Sequence, residues 1–318
     1  MRGAPAPAAA VGVDVGGTKT VGGVVGADGT VRVRARVPTP PQGGDAVTDA
    51  IAALVADLWR QAGGAPLPVG VGAAGVFDRS GVLRYSPNIP GWDEVPLAAR
   101  LSEALGVAVR ADNDANVAAW GECRAGAARD IEGTVVMLTV GTGIGGGLVQ
   151  DGALVRGAHG MAAEFGHIVV AEGGPLCGCG NRGCLEALAS GTAIGRTAAQ
   201  RLAAGHGSAL AGEGSAPTGK SVTLAAQAGD ELATAVLAEC GFWLGVGIAS
   251  LVNALDPDLV VVGGGAMQAG EMLLGPAREA AAARVIGGAH RQPTPVVAAA
   301  LGDDAGLVGA ALLALEAG

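Results

Sequence analysis

The sequence predicts an α/β protein, because short apolar strand-like runs alternate with segments of helical spacing along the chain. Half of the 318 residues are apolar, which is enough for a sizeable core. Aromatic residues are few (one Tyr, three Phe and four Trp), so Ala, Val, Leu and Ile must fill that core. The 57 glycines follow no strict period, which excludes a collagen-like chain and indicates many tight turns.

The first part of the chain predicts strands joined by glycine turns and followed by helices. After an Ala/Pro-rich tail at 1–9, three strands form a meander, and helices then alternate with further strands. The expected strands are 11–15, 20–25, 31–37, 69–76 and 107–111, and the expected helices are 45–61, 93–105 and 113–125.

A second strand–turn–strand unit begins near residue 133 and resembles the first, which indicates a weak internal repeat of a half-fold. Residues 204–222 are rich in Gly, Ser and Ala and predict an exposed loop. The other expected elements are strands at 135–140, 148–150 and 259–262, mostly helical residues over 223–255 with a break at 229–230, and a closing helix at 305–315.

Charge and composition exclude several classes of function. The net charge of −9 argues against a nucleic-acid surface, which requires a basic patch. The longest apolar run, 240–255, is shorter than the roughly 18 residues of a membrane span and contains Asn253. Asp14 interrupts the apolar N-terminal stretch, unlike a secretory signal. Three of the five cysteines lie within eight positions, which favours metal binding over disulfides, and we expect a cytoplasmic protein.

The turn after the first strand has the composition of a phosphate site. Asp14 ends that strand, and Gly16 and Gly17 allow the backbone to approach an anion closely. Thr18 adds a hydroxyl and an N–H group, and Lys19 adds a positive charge. A nest of backbone N–H groups that binds phosphate requires these residue types. The alternative is a hairpin turn that requires only glycine.

A second glycine run, 141–147, contains the spacing G-x-G-x-x-G, with Glu164 about 20 residues downstream as in dinucleotide-binding folds. Those folds require a helix directly after the glycines. Residues 148–152 are instead expected to turn back as a hairpin. The run is therefore interpreted as a second phosphate turn.

A Walker A spacing occurs from Gly214 to Gly219, Lys220 and Ser221. A P-loop requires a buried strand directly before it. The preceding residues 205–213 are Gly-rich and polar and have no strand pattern, so we interpret this match as a coincidence.

Residues 112–116, with the sequence Asp-Asn-Asp-Ala-Asn, lie where a strand meets a helix, and ligands of α/β sheets bind at such strand ends. Capping the helix requires only one such residue. Asp114 can therefore serve as a general base, and Asn113 can bind a hydroxyl. The helix N-terminus is expected to lower the pKa of Asp114. That makes it a weak base that takes its proton late, which suits a loose phosphoryl-transfer transition state.

His167, Cys177, Cys179 and Cys184 together supply four ligands of a type usual for zinc. Four protein ligands leave no open position, so the metal is expected to be structural. The alternative is a redox pair or a set of buried thiols.

Two carboxylates, Glu164 and Glu186, flank these ligands in the sequence. A metal there would fix the direction in which both carboxylates point. Further along, an apolar strand runs into glycines at 263–265, where an adenosine can lie against the backbone, although any tight strand–helix turn looks similar.

Together these segments resemble the ROK family of sugar kinases and related repressors, within the actin-like ATPase superfamily, and most of all the actinobacterial glucokinases of that family. The resemblance spans nearly the whole chain, and the Cys-rich stretch after EFGH is its most specific part. The segments are DVGGTKT at 14–20, GAAGVFD at 72–78, NDANVAAWGE at 113–122, GTGIGGG at 141–147, EFGH at 164–167 and CGCGNRGCLEALASG at 177–191.

The resemblance implies transfer of the γ-phosphoryl group of ATP to the 6-hydroxyl of an aldohexose, with glucose expected, and the use of Mg²⁺ and a structural Zn²⁺. It implies that Asp114 is the catalytic base and that Asp14 supports the Mg²⁺ shell. The implied sugar-binding residues are Gly75, Asn88, Asn113, Asp114, Glu164, His167 and Glu186. The implied nucleotide-binding residues are Asp14, Gly16, Gly17, Thr18, Lys19, Thr142, Gly143, Gly264 and Gly265.

The resemblance also implies a two-domain actin-like (ribonuclease H-like) α/β fold with the active site in the interdomain cleft. A small N-terminal domain is expected at 1–118, a large domain with the zinc site at 119–304, and a helix at 305–318 that returns to the first domain. It further implies a homodimer or homotetramer, a place in glycolysis, and no nucleic-acid or membrane partner.

Three alternatives remain open at this point. The first is a kinase for N-acetylglucosamine, mannose or fructose, because single residues do not reveal pocket shape. The second is a sugar-sensing repressor of the same family, although only about ten residues precede the first strand, too few for a helix-turn-helix. The third is polyphosphate as the phosphoryl donor, although the sequence has no basic track for a polyanion.

Overall fold

The computed structural model describes residues 9–212 and 215–316, and in these residues twelve strands form two five-stranded sheets and one two-stranded ribbon. The tail at 1–8, Gly214 of the Walker-like match and the end of the predicted closing helix at 317–318 lie outside the described residues. The strands are β1 Ala9–Val15, β2 Lys19–Gly26, β3 Val31–Pro38, β4 Val69–Ala73, β5 Val76–Phe77, β6 Leu83–Tyr85, β7 Val109–Asn113, β8 Thr134–Val140, β9 Ile144–Gln150, β10 Ala153–Leu154, β11 Leu259–Gly263 and β12 Val296–Ala298.

Nine α-helices occur in the same described residues, together with short 3₁₀ turns such as Phe165–His167 and Gly265–Ala269. The helices are α1 Gly44–Gln61, α2 Leu97–Leu105, α3 Asp114–Ala125, α4 Leu185–Ala189, α5 Gly191–Ala203, α6 Gly219–Gln227, α7 Glu231–Leu255, α8 Glu271–Ala282 and α9 Ala305–Leu315. The predicted α/β class is confirmed.

The first sheet has the strand order β3-β2-β1-β4-β7. Strands β1, β2 and β3 pair antiparallel, as the predicted meander requires, and β4 and β7 add to β1 in parallel. The carboxyl ends of β1, β4 and β7 therefore lie at one edge, where Asp14 and Asn113 occur. That edge is the position at which ligands of such sheets bind.

Helix α9 packs directly on the backbone of the first sheet, which requires glycine at two facing positions. A Cβ atom at Gly12 would lie 2.0 Å from the carbonyl oxygen of Leu307, and one at Gly70 would lie 1.8 Å from that of Ala310. Residues 305 and 307–313 of α9 are all buried, which explains why this helix is apolar on every side.

The second sheet has the order β10-β9-β8-β11-β12, with β8, β11 and β12 parallel. By internal packing, the described residues form two compact units. The first lies within Met1–Glu132, Gly147–Ala163 and Ala300–Gly318, and the second within Gly133–Gly146 and Glu164–Ala299. The domain boundary drawn at 118/119 falls inside α3, and α9 lies in the first unit.

Several predicted elements have different bounds in the structure. The strand predicted at 69–76 divides into β4 and β5, and between them a Cβ atom at Gly75 would lie 2.6 Å from the carbonyl oxygen of Tyr85. The helix predicted at 93–105 begins only at Leu97, since Val95 pairs with Leu83 and precedes Pro96, a position that disfavours helix. Helices α4, α5 and α8 and strands β6, β10 and β12 had not been predicted.

Two glycine-rich stretches are also more regular than expected. The turn predicted at 141–147 is complete by Gly143, and β9 continues through the remaining glycines. Glycine is required at 147, where a Cβ atom would lie 2.9 Å from the carbonyl oxygen of Ala115. The loop predicted at 204–222 ends in helix α6, whose Thr218 and Ser221 form a capping box.

Helix α7 is longer than the apolar run counted from the sequence, and by length and composition it could cross a membrane. In the structure, 61% of its most apolar window is buried. It packs against α8, α6, α5 and α4. This burial is that of a core helix, so the length of α7 is weak evidence for a membrane span.

Candidate functional site

The first glycine turn joins β1 to β2 and leaves its central residues exposed. The N–H group of Gly16 donates to the carbonyl oxygen of Lys19 at 3.0 Å and closes the turn. Gly17, Thr18 and Lys19 are solvent-exposed. Their backbone groups and side chains are thus accessible to an anion, as the sequence interpretation requires.

A buried threonine supports this turn from the side of the sheet. Thr39, which is 5% exposed, donates its Oγ1 proton to the carbonyl oxygen of Gly16 at 2.7 Å. Its backbone N–H donates to the carbonyl oxygen of Thr18 at 3.2 Å, and its hydroxyl lies 2.9 Å from that of Thr20. Sequence reasoning did not identify Thr39, because it follows a different strand, 23 residues from Gly16.

Asp14 lies at the end of β1 and has an unusual acidity. Burial raises its pKa, the negative charge of Asp114 raises it further, and the positive charge of Lys19 opposes both, leaving a pKa of about 6. The structure thus brings the two predicted carboxylates, Asp14 and Asp114, within electrostatic reach of each other. Their titrations belong to the pair.

Asp114 is the first residue of α3, and its surroundings are held by hydrogen bonds. The side chain of Asn113 caps the helix by accepting from the N–H groups of Ala115 and Asn116 at 2.9 and 3.1 Å. The Nδ2 group of Asn113 donates to the carbonyl oxygen of Gly75 at 3.0 Å. Two predicted sugar-binding residues, Asn113 and Gly75, are therefore in direct contact.

The expected direction of the Asp114 pKa was wrong. Burial raises this pKa above its ordinary value, and the hydrogen bonds from the Ala115 N–H group and Asn113 lower it by less. The helix N-terminus does not prevail, because the cost of removing a carboxylate from water exceeds the gain from a few donors. Asp114 is thus a stronger base than the sequence suggested.

An ion pair with one buried partner lies two residues before Asp114 in the chain. Asp112 is 3% exposed and accepts hydrogen bonds from the Asn113 N–H group at 2.8 Å, the Asn116 Nδ2 group at 2.9 Å and the Arg156 Nε group at 2.7 Å. Arg156 had not been identified from the sequence, since it follows β10, 44 residues away. The pair fixes the entry to α3.

Asn88 is exposed and lies beside the first glycine turn. A Cβ atom at Gly17 would lie 3.2 Å from the carbonyl oxygen of Asn88. In the first unit, then, the structure places Asn88 next to the turn, and Asn113, Gly75 and the carboxylate pair at the adjoining strand ends.

The second glycine turn is clamped by the start of α5. The N–H group of Gly191 donates to the carbonyl oxygen of Gly141, and the Oγ1 group of Thr192 donates to that of Thr142, both at 2.8 Å. The N–H group of Ile144 donates to Oε2 of Glu186 at 3.0 Å. Thr142 itself remains exposed.

The EFGH segment packs against the same turn. A Cβ atom at Gly166 would lie 2.0 Å from the carbonyl oxygen of Ile144, so only glycine fits there. Glu164 and His167 flank this contact, and the His167 N–H group donates to the carbonyl oxygen of Glu164 at 3.0 Å. In the second unit, Gly166 and Glu186 therefore contact the turn that carries Thr142 and Gly143, and Glu164 and His167 lie beside Gly166 in the chain.

His167, Cys177, Cys179 and Cys184 form a compact group whose ligand atoms all lie within 4.8 Å of one another. The Sγ atoms of Cys179 and Cys184 are 3.6 Å apart, as are Nδ1 of His167 and Sγ of Cys177. Tetrahedral zinc with Zn–S bonds of about 2.3 Å places two sulfurs about 3.8 Å apart. The group thus has the composition and the spacing that zinc requires.

The thiols of this group differ in acidity, since the backbone N–H group of Asn181 lowers the pKa of Cys179. Burial and the neighbouring thiols raise the pKa of Cys177 to about 12. A bound zinc ion would have the opposite effect on the pKa of Cys177, because a thiol that coordinates zinc loses its proton.

Gly264 and Gly265 follow β11 and are both exposed. Gly264 has a φ of +89°, and a Cβ atom there would lie 2.5 Å from the carbonyl oxygen of Val140. The exposed backbone at this strand end is open to a flat ligand.

The Walker-like match at 214–221 does not have the surroundings of a P-loop. No strand occurs among the described residues 205–212 and 215–218, and Lys220 lies in the first turn of α6.

Comparison with known proteins identifies the family. The sequence matches the ROK family over residues 10–317. The chain belongs to the ROK family, as its motifs indicated.

Three similar proteins are informative about activity. A glucokinase of Streptomyces coelicolor is 41% identical over 318 residues, covering 96% of this chain and 97% of that protein. An N-acetylmannosamine kinase of Escherichia coli is 36% identical over 313 residues, covering 95% and 97%. The crystal structure of a ROK family glucokinase from Streptomyces griseus in complex with glucose and AMPPNP is 42% identical, with a TM-score of 0.85 and coverage of 96% and 98%. The predicted fold class is thereby confirmed.

Proposed function

We propose that this chain is an enzyme that transfers the γ-phosphoryl group of ATP to the 6-hydroxyl of glucose, giving glucose 6-phosphate and ADP. The observation that carries the proposal is the similarity, over nearly the whole chain, to a glucokinase with glucose and AMPPNP bound. Glucokinases at 38–41% identity support the same activity.

Asp114 is the proposed catalytic base. Its carboxylate stands at the first residue of α3, and burial raises its pKa. A general base works best when its pKa approaches the working pH, so the raised value favours proton acceptance from the 6-hydroxyl. Asp112, Asn113 and Arg156 hold the start of α3, on which Asp114 lies, through the hydrogen bonds described above.

The proposed phosphate contacts come from the two glycine turns, and Asp14 would support the Mg²⁺ shell. Mg²⁺ supplies neutralising charge to the β- and γ-phosphate oxygens when it is bound. The residues proposed for phosphate are Gly16, Gly17, Thr18, Lys19, Thr142 and Gly143, and those proposed for the nucleoside are Gly264 and Gly265. The residues proposed for the sugar are Gly75, Asn88, Asn113, Glu164, His167 and Glu186.

The metal proposed for the cluster of His167, Cys177, Cys179 and Cys184 is a structural Zn²⁺, because four protein ligands complete its tetrahedral shell.

The proposal also includes a homodimer or homotetramer, a cytoplasmic location and a place in glycolysis. Light scattering of the purified protein tests the oligomeric state.

A kinase for another hexose is the second candidate, and the 36% identical N-acetylmannosamine kinase is the observation that favours it. A coupled assay across glucose, mannose, fructose, N-acetylglucosamine and N-acetylmannosamine, with ATP and with polyphosphate, separates the candidates. We expect the highest kcat/KM for glucose with ATP. A higher kcat/KM for any other pair would overturn the assignment.

The base is tested with Asp114→Asn. We expect kcat to fall at least about 10²-fold, since a positioned base contributes that much or more. The control is Asp49→Asn, an exposed carboxylate on α1, which should leave kcat unchanged. Near-full activity of Asp114→Asn would reject the role.

A further inference from the structure

One carboxylate, Glu186, lies between the proposed zinc ligands and the second glycine turn. Its Oε2 atom accepts the N–H of Ile144 at 3.0 Å, and its Oε1 atom lies 3.5 Å from the thiol of Cys177. The contact at Oε1 depends on the proton of Cys177, which a bound zinc ion would remove. The bond to Ile144 does not depend on that proton.

The fit between Glu186 and the turn leaves no spare room. A Cβ atom at Gly143 would lie 2.3 Å from Oε2 of Glu186. The position of the carboxylate and the path of the turn therefore determine each other.

Glu186 belongs to a segment that starts at a zinc ligand and continues along the turn. Cys184 is the N-cap residue of α4, and Glu186 is the second residue of that helix. The same segment reaches Gly191 and Thr192, which hold Gly141 and Thr142. The 186–192 segment thus makes hydrogen bonds to the turn at residues 141, 142 and 144.

The start of this segment is held by apolar packing on one side and by the metal ligands on the other. Cys177, Cys184 and Ala187 form a small buried cluster. Leu185 is fully buried next to Gly247 of α7, and its N–H group donates to the carbonyl oxygen of Ile168 at 2.9 Å. Two of the proposed zinc ligands, Cys177 and Cys184, belong to the small cluster, so a bound metal would add its binding free energy to the ordering of this loop.

We propose that Glu186 is a positioning residue through which zinc binding orders the second phosphate turn, so that zinc and nucleotide bind cooperatively. The inference rests on the proposed function, because it takes residues 141–144 to hold the phosphates of ATP. Coupling between two sites is reciprocal, so nucleotide must also tighten zinc binding.

Calorimetric titration with AMPPNP and Mg²⁺, in the absence of sugar, tests the proposal. We expect chelator-treated protein to bind AMPPNP at least about fivefold more weakly than zinc-loaded protein, the lower range of such couplings. Zinc competition with a chromogenic chelator should show zinc affinity rising by the same factor when AMPPNP is present. The absence of sugar removes any direct contact of Glu186 with glucose from the result.

Variants identify the residue responsible. Zinc-loaded Glu186→Ala should bind AMPPNP as weakly as the metal-free protein, and its zinc affinity should no longer respond to AMPPNP. Glu186→Gln keeps an oxygen for the Ile144 N–H and should restore the affinity. Glu172→Ala, an exposed carboxylate on the same loop, is the matched control and should behave as the parent protein.

These results distinguish the failure of the inference from the failure of the proposed function. Tight AMPPNP binding that is equal with and without zinc would overturn only the coupling. The coupling would also be rejected if Glu186→Ala kept full affinity at one zinc per chain. If no form of the protein binds AMPPNP, the proposed function itself fails. Where chelation unfolds the protein, the zinc-loaded variants still decide the question.

Discussion

The Nε group of Arg156 donates a 2.7 Å hydrogen bond to Oδ2 of Asp112, whose side chain is only 4% exposed. Without Arg156, this buried carboxylate would keep only neutral donors, from Asn113 and Asn116. A buried charge that loses its partner is strongly destabilising. The pair therefore ties the start of α3, and Asp114 with it, to residues that follow β10.

Arg156→Met is expected to lower the free energy of unfolding by about 2 to 3 kcal/mol, since it removes a charge-assisted bond to a buried group. Urea unfolding measures this change. In the double variant Asp112→Asn/Arg156→Met the loss should be smaller than the sum of the single losses, as for residues in contact. A loss below about 0.5 kcal/mol in the single variant, the range of ordinary surface substitutions, would contradict the structural account.

The pH dependence of nucleotide use should report the carboxylate pair. Asp14 has a pKa of about 6, so it is increasingly protonated as the pH falls through that value, and a neutral Asp14 cannot support Mg²⁺. We expect kcat/KM for ATP to decline below a pH of about 6. Asp14→Asn should be poorly active at every pH, and its kcat/KM for ATP should not show this decline below a pH of about 6.

The same raised pKa has a consequence for stability. Between pH 3.8 and about 6 the folded state binds more protons at Asp14 than the unfolded state, so this group makes the protein less stable as the pH rises. Asp14→Asn should therefore gain up to about 3 kcal/mol over the parent protein between pH 4 and pH 7. An equal difference at both pH values would exclude a raised pKa.

Asp78 should contribute to stability in the opposite sense. Burial raises its pKa, but donors from Ser80, Val82 and Arg84 outweigh burial and hold the pKa at about 2. A lowered pKa stabilises the folded state above pH 3.8, and this contribution is lost as the pH falls through about 2. Because solvent screens this partly exposed group, its contribution to the free energy of unfolding is limited to about 1 kcal/mol.

Thermal unfolding of Asp78→Asn and the parent protein at pH 7 and pH 2.5 checks this expectation. The variant should be less stable at pH 7, and the difference should shrink at pH 2.5. Asp49→Asn serves as the control and should follow the parent at both pH values. A constant difference for Asp78→Asn would show that the hydrogen bonds do not depend on its charge.

Lys220 and Lys19 offer a matched comparison between the Walker-like match and the first glycine turn. Lys220→Ala should leave KM for ATP unchanged, because no strand precedes its segment among the described residues. Lys19→Ala should raise that KM about tenfold, the effect of losing one charge-assisted contact. Steady-state kinetics of both variants decide this, and a severe loss for Lys220→Ala would restore the P-loop interpretation.

The elements predicted best were those specified by neighbouring residues. The meander and the closing helix were confirmed, because strand and helix periodicity are local properties. The clustering of the one histidine and three cysteines and the capped start of α3 could also be predicted from spacing. Helices α5 and α8 were missed because their alanines and glycines carry little periodic signal.

The sequence by itself determined the α/β class, the two glycine turns, the grouping of one histidine with three cysteines and the family, since each depends on residues close together in the chain. The tertiary structure alone decided which distant residues support them, such as Thr39 beneath Gly16 and Glu186 beside Ile144. It also decided the raised pKa of Asp114, because burial is the sum of all surrounding atoms and outweighs the local effect of a helix N-terminus.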